Sequence, residues 1–437
     1  MSLQRIDLAE HDRVDLSDEN KACLRDVIFK GPPSIRNEKP EHLGIARQCD
    51  TLQAHYYIGT TWLKEGVIYA SVSPKIQGID FAKMLNFAEM LSGVLRSENS
   101  LKYLSSCYGI MAEEKTIPAE KSDTNYLILL VVLHYISLLK RIAGTGLRKD
   151  YVTVEENLKC KIKGKILVPQ NIRINNKNSR NDRCFCSYQE YTADIPVNRL
   201  LKKALLKAEK MIYGYPEVFE KGGLFHNLRR DIARLKSTFS PISADFSTKD
   251  VRNLKFSKLF RNYDDAVKVA KMLLRQESNK AEAGEKGLPP FWIDMTRLFE
   301  LYVYSLLEEA FPESIKYQVR GRHATVCDFI EIKNRLIIDA KYKTWYNVVN
   351  KEHWSSEERT YSPTDDIREL SGYARDTRIL HEMTVLEGEN YIPPCIIIYP
   401  DKNGVERLSK NQSLVEQAEK MDDYVKFYKI GIKLPTY

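Results

Sequence analysis

Apolar and polar positions alternate in distinct ways along the chain, and the alternation predicts a mixed fold. Residues 1 to about 80 read as strand-rich, with strands such as Thr61–Gly66 and Val67–Val72 and a break at Gly31-Pro32-Pro33. Ile79–Leu95 has helical spacing, with Phe81, Met84, Leu85, Ala88, Leu91 and Leu95 on one stripe. A very apolar helix is predicted over 124–143. Strand-like stretches follow at Lys161–Val168 and Cys184–Tyr191. They flank a basic segment from Arg173 to Arg183, which reads as the solvated tip of a long hairpin. Asn198–Tyr213 is amphipathic, with Leu200, Leu201, Ala204, Leu205 and Ala208 on its apolar side and Lys202, Lys203, Lys207 and Lys210 off it. Further helices are predicted at Phe225–Thr238 and Tyr263–Arg275. Ser278–Pro290 is polar, bears Gly and Pro, and marks a boundary. The order after it is helix 291–311, strands 315–321, 326–333 and 335–342, helix 364–386 and strand 394–400.

The second and third of those strands carry the most informative residues. In VCDFIEIKNRLIIDAKYK, two apolar runs are broken by Lys333-Asn334-Arg335, and the polar pattern is Asp, ten residues, then Asp-Ala-Lys. A turn centred on Lys333-Asn334 places Asp328 opposite Asp339, with Cβ atoms about 5 Å apart. A turn at Asn334-Arg335 places Asp328 opposite Lys341 instead. Strand period puts Asp339 and Lys341 on one face in either case. Two carboxylates and an ammonium among apolar neighbours are costly unless compensated. A divalent metal compensates them, and Mg²⁺ prefers few carboxylates with retained water. The plainer reading is a salt-bridged surface hairpin. The constellation resembles the core of PD-(D/E)XK nucleases, with Cys327-Asp328 in the PD place and Asp339-Ala340-Lys341 as the (D/E)XK element.

Composition narrows the class. A chain of 437 residues has room for several domains, and 43% hydrophobic with 29% charged residues indicates a soluble globular protein. The net charge of +8 is compatible with nucleic acid without being diagnostic. The N-terminus is charged from Arg5 onward, so no secretory signal is expected and the cytoplasm is the expected location. Reduced thiols fit that location. Cys160, Cys184 and Cys186 lack a fourth ligand at zinc spacing. The apolar run Tyr126–Leu139 is too short to span a membrane and carries His134, which reads as a core polar group. No GxxxxGK[ST] loop exists, so nucleotide hydrolysis by this chain alone is not expected.

Several segments in order resemble the McrC family, the nuclease subunits of McrBC modification-dependent restriction systems. They are Val72-Ser73-Pro74-Lys75-Ile76 and the following Met84-Leu85 helix, Gly164-Lys165-Ile166, Tyr188 to Leu201 (YQEYTADIPVNRLL), Leu298 to Val303 (LFELYV), Ile337 to Lys343 and Ile397-Ile398-Tyr399-Pro400. The resemblance implies a multidomain α+β protein. Its N-terminal mixed β/helical region would dock on a partner and carry the long hairpin, and its C-terminal α/β domain would be the nuclease. The expected divisions are 1–150, 151–195 for the hairpin, 196–284 helical, and 285–437 for the nuclease.

The resemblance also implies an McrB-like AAA+ partner that binds and hydrolyses GTP, stimulation of that GTPase, and Mg²⁺-dependent cleavage of double-stranded, methylated DNA. Asp328, Asp339 and the Ala340 carbonyl would hold the metal. Lys341 would assist the attacking water, and Glu300, from the preceding helix, would complete the shell. Lys343, Arg368 and Tyr373 are candidates for DNA contact. Arg173, Lys177, Arg180 and Arg183 are candidates for contact with the motor. The chain departs from the family pattern at Cys327, where proline is usual, and at Arg368, where glutamine is frequent. An inert activator subunit and a stand-alone nuclease are the competing readings.

Overall fold

In a computed structural model of the chain, the described residues are 3–33, 39–74, 97–104, 106–111, 114–118, 121–214, 224–245, 261–282, 287–322, 325–343, 363–386 and 391–434, with Met90, Leu91, Val94 and Glu389. They divide into two compact units, residues 1–130 with 285–437, and residues 131–284. Most of the expected helix Ile79–Leu95 lies outside the described residues; Met90, Leu91 and Val94 are helical and buried. Among the described residues no helix is long and apolar enough to cross a membrane. All eight cysteines are free thiols.

The first unit holds two larger sheets. In the N-terminal one, Gln4–Ala9 runs parallel to Ile68–Ser73, which pairs antiparallel with Tyr57–Lys64. The next strand in the sheet comes from far along the chain. Phe291–Asp294, expected as the start of a helix, pairs instead with Tyr57–Thr60 and with Tyr108–Ile110. Trp292 faces Gly59 on one side and Gly109 on the other. A Cβ on Gly109 would lie 2.6 Å from the Trp292 indole nitrogen, so only glycine fits there. Gly59 adopts φ +131°, open to glycine alone. The strand feeds straight into the helix Met295–Ala310, whose first turn is capped by the Asp294 carboxylate accepting from the Arg297 N–H at 2.9 Å.

The C-terminal sheet has six strands in the order Ile315–Arg320, Val326–Glu331, Leu336–Ala340, Cys395–Val405, Phe427–Ile432 and Glu419–Lys420. The first two pairings are antiparallel and the next two parallel. Leu336–Ala340 is central and all five of its residues are buried, which is why the sequence is apolar there except at Asp339. The expected helix 364–386 is two helices, Pro363–Tyr373 and Thr377–Glu382, the second capped by Asp376. Ile367, Leu370, Tyr373, Ile379 and Met383 form one core with Ile337, Cys395 and Ile397 of the sheet. Each such aliphatic side chain contributes about 1.5–3 kcal/mol on burial.

In the second unit, the long hairpin pairs Asp150–Lys159 with Arg183–Thr192 over ten residues each. The sequence reading placed the outgoing strand too late. Lys161–Val168 contributes only the short strand Lys165–Ile166. Between them lies a helix, Val168–Ile174, then a 3-10 turn at Asn176–Asn178. Asn175, fully buried, bonds through its side chain to Asn157 and Asn171, so the tip is a built element. Arg173, Lys177, Arg180 and Arg183 are all exposed on it.

The segment after the hairpin is a joint. Arg199 forks onto Asp194 with two bonds of 2.8 Å, and this holds the Asp194 carboxyl below the usual range. Buried Asn198 donates to the carbonyls of Arg148 and Ala193. The helix that follows, Pro196–Gly214, buries the expected stripe, Leu200 through Ala208. Lys202 is not free for a ligand, since its ammonium sits on the Ile242 carbonyl. His134 is buried in the helix Lys121–Thr145, and burial lowers its pKa to about 4.

The turn between Val326–Glu331 and Leu336–Ala340 is locked by a buried carboxylate. Glu331, with no solvent exposure, accepts from Asn334 at 2.9 and 3.0 Å and from the Ser314 hydroxyl at 3.1 Å. Asn334→Ala leaves it short of donors and should lower the stability of this unit by about 1–3 kcal/mol. A urea titration followed by tyrosine and tryptophan fluorescence would show it as an earlier midpoint. An unchanged midpoint would mean the lock contributes nothing.

Candidate active site

Two features of the sequence bring the acidic residues together: the register of the hairpin and the period of its strands. Phe329 pairs with Ile338, Ile330 with Ile337 and Glu331 with Leu336. The Arg335 N–H donates to the Ile332 carbonyl at 3.3 Å, closing the turn on Lys333-Asn334. Of the two registers open to the sequence, this is the one that sets Asp328 against Asp339. At that point the Ala340 N–H donates to the Asp328 carboxylate, at 3.1 Å from Oδ2.

Asp328 is 5% exposed and Asp339 2%. Lys341 lies on the same face as Asp339, and its Nζ is 2.8 Å from Asp339 Oδ2. The same nitrogen is 2.8 Å from Glu369 Oε2 and 3.9 Å from Asp366 Oδ1, both on the helix Pro363–Tyr373. Exposure rises from the aspartates through the Lys341 side chain at 16% to Glu369 at 45%. The group is therefore closed on the sheet side and opens to solvent past Glu369.

The electrostatics follow from this burial. Burial first, and then the Asp328 charge, push the Asp339 carboxyl well above the usual carboxylate range, with Lys341 pulling the other way. Burial works against the charge on Lys341, but Asp339, Glu369 and Asp328 outweigh it and its pKa is raised. Cys327 is fully buried and donates to the Phe329 carbonyl, and burial pushes its thiol up.

A divalent cation suits this pair. Asp339 Oδ2 is buried beside a second carboxylate, and the Lys341 ammonium at 2.8 Å offsets only part of that charge. Among the described residues no group of three or more His, Cys, Asp or Glu side chains is arranged to hold a metal. Two carboxylates with a neighbouring carbonyl and water are a donor set for Mg²⁺ rather than for zinc or calcium.

Glu300 is not drawn into a three-acid cluster. Buried at 3%, it accepts from Gln318 Nε2 at 2.9 Å and lies 3.8 Å from Arg297. Gln318 falls between the pairs Tyr317–Phe329 and Val319–Cys327, level with Asp328, and its φ of +52° turns its side chain out of the regular strand. Lys343 is held by Asp366 at 2.8 and 3.0 Å. Arg368 is exposed and pairs only loosely with exposed Asp365, at 3.2 Å. Tyr373, expected toward DNA, is 7% exposed and donates its hydroxyl to Glu369 at 2.7 Å. Sequence reading missed Asp366, Glu369 and Gln318. The one available signal was the spacing of Asp366 and Glu369, one helical turn apart.

A model of the McrBC 5-methylcytosine restriction system component family matches residues 52–365. The chain belongs to that family. The match takes in Asp328, Asp339 and Lys341 and ends before Glu369. No curated protein matches the chain. Among solved structures it is similar to a chain of the refined half-complex from the tetradecameric assembly of Thermococcus gammatolerans McrB AAA+ hexamers with bound McrC. That likeness has 15% identity, covers 98% of this chain and 94% of that one, and has a TM-score of 0.43. A second, to a chain of the cryo-EM structure of the Thermococcus gammatolerans McrBC complex, has 17% identity, coverage of 71% and 89%, and a TM-score of 0.32.

The raised Asp339 pKa has a consequence for stability. A folded pKa above the unfolded value of about 3.9 means this group favours the fold at low pH, and the benefit is lost as pH rises through the folded value. Asp339→Asn removes that loss. In metal-free buffer the variant should melt about 2–4 °C above wild type at neutral pH, with the gap closing toward pH 4. Lower melting of the variant at neutral pH would mark the carboxylate as a structural ion-pair member instead.

Proposed function

We propose that this chain is the DNA-cleaving subunit of a modification-dependent restriction complex and works with an McrB-like AAA+ GTPase. The observation that carries the reading is the buried Asp328–Asp339 pair, aligned by the Ala340 N–H and flanked by Lys341. Family membership makes the chain a component of such a system. The sequence has no GxxxxGK[ST] loop, which supports a GTP site on the partner. The substrate is double-stranded DNA, methylated if it matches the family description.

Asp328, Asp339 and the Ala340 carbonyl would hold Mg²⁺, with Glu300 as the candidate to extend the shell through Gln318 or water. When bound, the ion acidifies water and neutralises charge on the phosphodiester. Lys341 stands 2.8 Å from Asp339 Oδ2, within reach of a water beside that carboxylate. Its ammonium would orient the water and stabilise negative charge growing on the phosphoryl oxygens. In the metal-free site the neighbouring Asp339, Glu369 and Asp328 carboxylates, against the effect of burial, favour the charged ammonium. Lys343 and Arg368 lie on the solvent side and are the candidates for backbone phosphates. The exposed tip carrying Arg173, Lys177, Arg180 and Arg183 is the candidate contact with the motor.

Asp339→Ala tests the reading in the assembled complex. The variant should lose cleavage of methylated plasmid by at least about a thousandfold while still stimulating GTP hydrolysis by the partner. Chelating Mg²⁺ from wild type should abolish cleavage likewise. Cutting by the variant would remove these residues from the chemistry. Stimulation without any cutting by wild type would mark the chain as an inert activator, and cutting without partner or GTP as a stand-alone nuclease.

A further inference from the structure

Lys341 contacts two separate elements, its own strand and the helix Pro363–Tyr373, at equal distance. Its ammonium lies 2.8 Å from Asp339 Oδ2 and 2.8 Å from Glu369 Oε2. The other Glu369 oxygen, Oε1, accepts the Tyr373 hydroxyl at 2.7 Å. Both oxygens of Glu369 thus have assigned partners, which fixes the plane of its carboxylate. Glu369 and Tyr373 are four residues apart and share one face of the helix. Tyr373 is rooted in the core with Leu370 and Ile367, whereas the Glu369 side chain is 45% exposed. One turn earlier, Asp366 takes Lys343 in the same way. The helix therefore presents two acids, and each receives one of the lysines leaving the central strand.

We propose that Glu369 is a positioning residue for Lys341 and is itself oriented by Tyr373. The proposal rests on the functional reading above. Without Glu369 the four-carbon lysine stem keeps one close carboxylate, Asp339, since Asp366 Oδ1 lies 3.9 Å away and takes Lys343. The ammonium would then be drawn wholly onto the buried Asp339 Oδ2, the oxygen that a cation would need. With Glu369 it is shared between the two carboxylates, at 2.8 Å from each, beside the place where water would stand. The Glu369 contact needs an acceptor oxygen at the right spot, so glutamine retains much of it and alanine none. Phenylalanine at 373 keeps the ring in the core and removes only the hydroxyl that aims the carboxylate.

The test uses the full chain carrying Glu369→Ala, Glu369→Gln or Tyr373→Phe. With the motor partner and GTP, turnover on methylated plasmid should fall about 100-fold for Glu369→Ala, while KM for DNA stays near wild type. Glu369→Gln should recover most of the rate, and Tyr373→Phe should fall between. The second readout needs no activity. In the full chain labelled with ¹⁵N-lysine, the Lys341 ammonium signal, assigned by its loss in Lys341→Arg, should be sharp in wild type. It should persist in Glu369→Gln and vanish into exchange in Glu369→Ala. An unchanged signal or an unchanged rate in Glu369→Ala overturns the proposal, as does glutamine failing as badly as alanine. Should wild type cut no DNA at all, the functional reading falls, and the ammonium signal alone still decides whether Glu369 places Lys341.

Discussion

The register of one β-hairpin holds this account together. With the turn on Lys333-Asn334, Asp328 and Ile330 share a face with Ile337 and Asp339. A slip of one residue would send every side chain of one strand to the opposite face. It would carry Asp339 away from Asp328 and expose apolar residues now in the core. The register is fixed from both ends. At the turn, buried Glu331 gathers Asn334 and Ser314, and at the other end the Ala340 N–H reaches the Asp328 carboxylate. The first contact is built from neutral amide and hydroxyl donors, whereas the second uses one of the acids that the chemistry needs.

That arrangement sets stability against function. Two carboxylates at 5% and 2% exposure repel each other in a low-dielectric setting, and one lysine only partly offsets the cost. The surrounding core makes the strain tolerable. Ile337, Ile397, Leu370 and Ile367 clamp the central strand from the helix side. The helix Met295–Ala310 is launched by a strand that the N-terminal sheet holds in place through Trp292 and its two facing glycines. The N-terminal sheet thereby fixes the start of the helix that carries Glu300. Such local strain is a common mark of functional sites, where rigid surroundings over-determine an unfavourable arrangement.

Much of this was legible in the sequence, and the gaps have physical reasons. Period-two patterning and a polar turn suffice to find the hairpin and to narrow its register to two choices. The choice between them depends on Glu331, whose donors Asn334 and Ser314 meet only in the folded sheet. Helical stripes such as Leu200–Ala208 are local and were readable. Phe291–Asp294 was not, because its strand identity comes from partners more than 180 residues away. The tip helix Val168–Ile174 was hidden for a similar reason, since its anchor is the meeting of Asn157, Asn171 and Asn175. Glu369 was missed because nothing near it in sequence says that its helix lies across the end of the central strand. Gln318 was missed because its left-handed backbone has no glycine or asparagine to announce it.

The central claim is that Asp328 and Asp339 form a cation site and not a buried structural pair. Calorimetric titration of Mn²⁺, a spectroscopically convenient stand-in for Mg²⁺, into the full chain and into Asp328→Asn with Asp339→Asn tests it most directly. The account predicts saturable binding to the wild-type chain that disappears when both carboxylates become amides. Equal heats from the two proteins, or no binding to wild type, would contradict it.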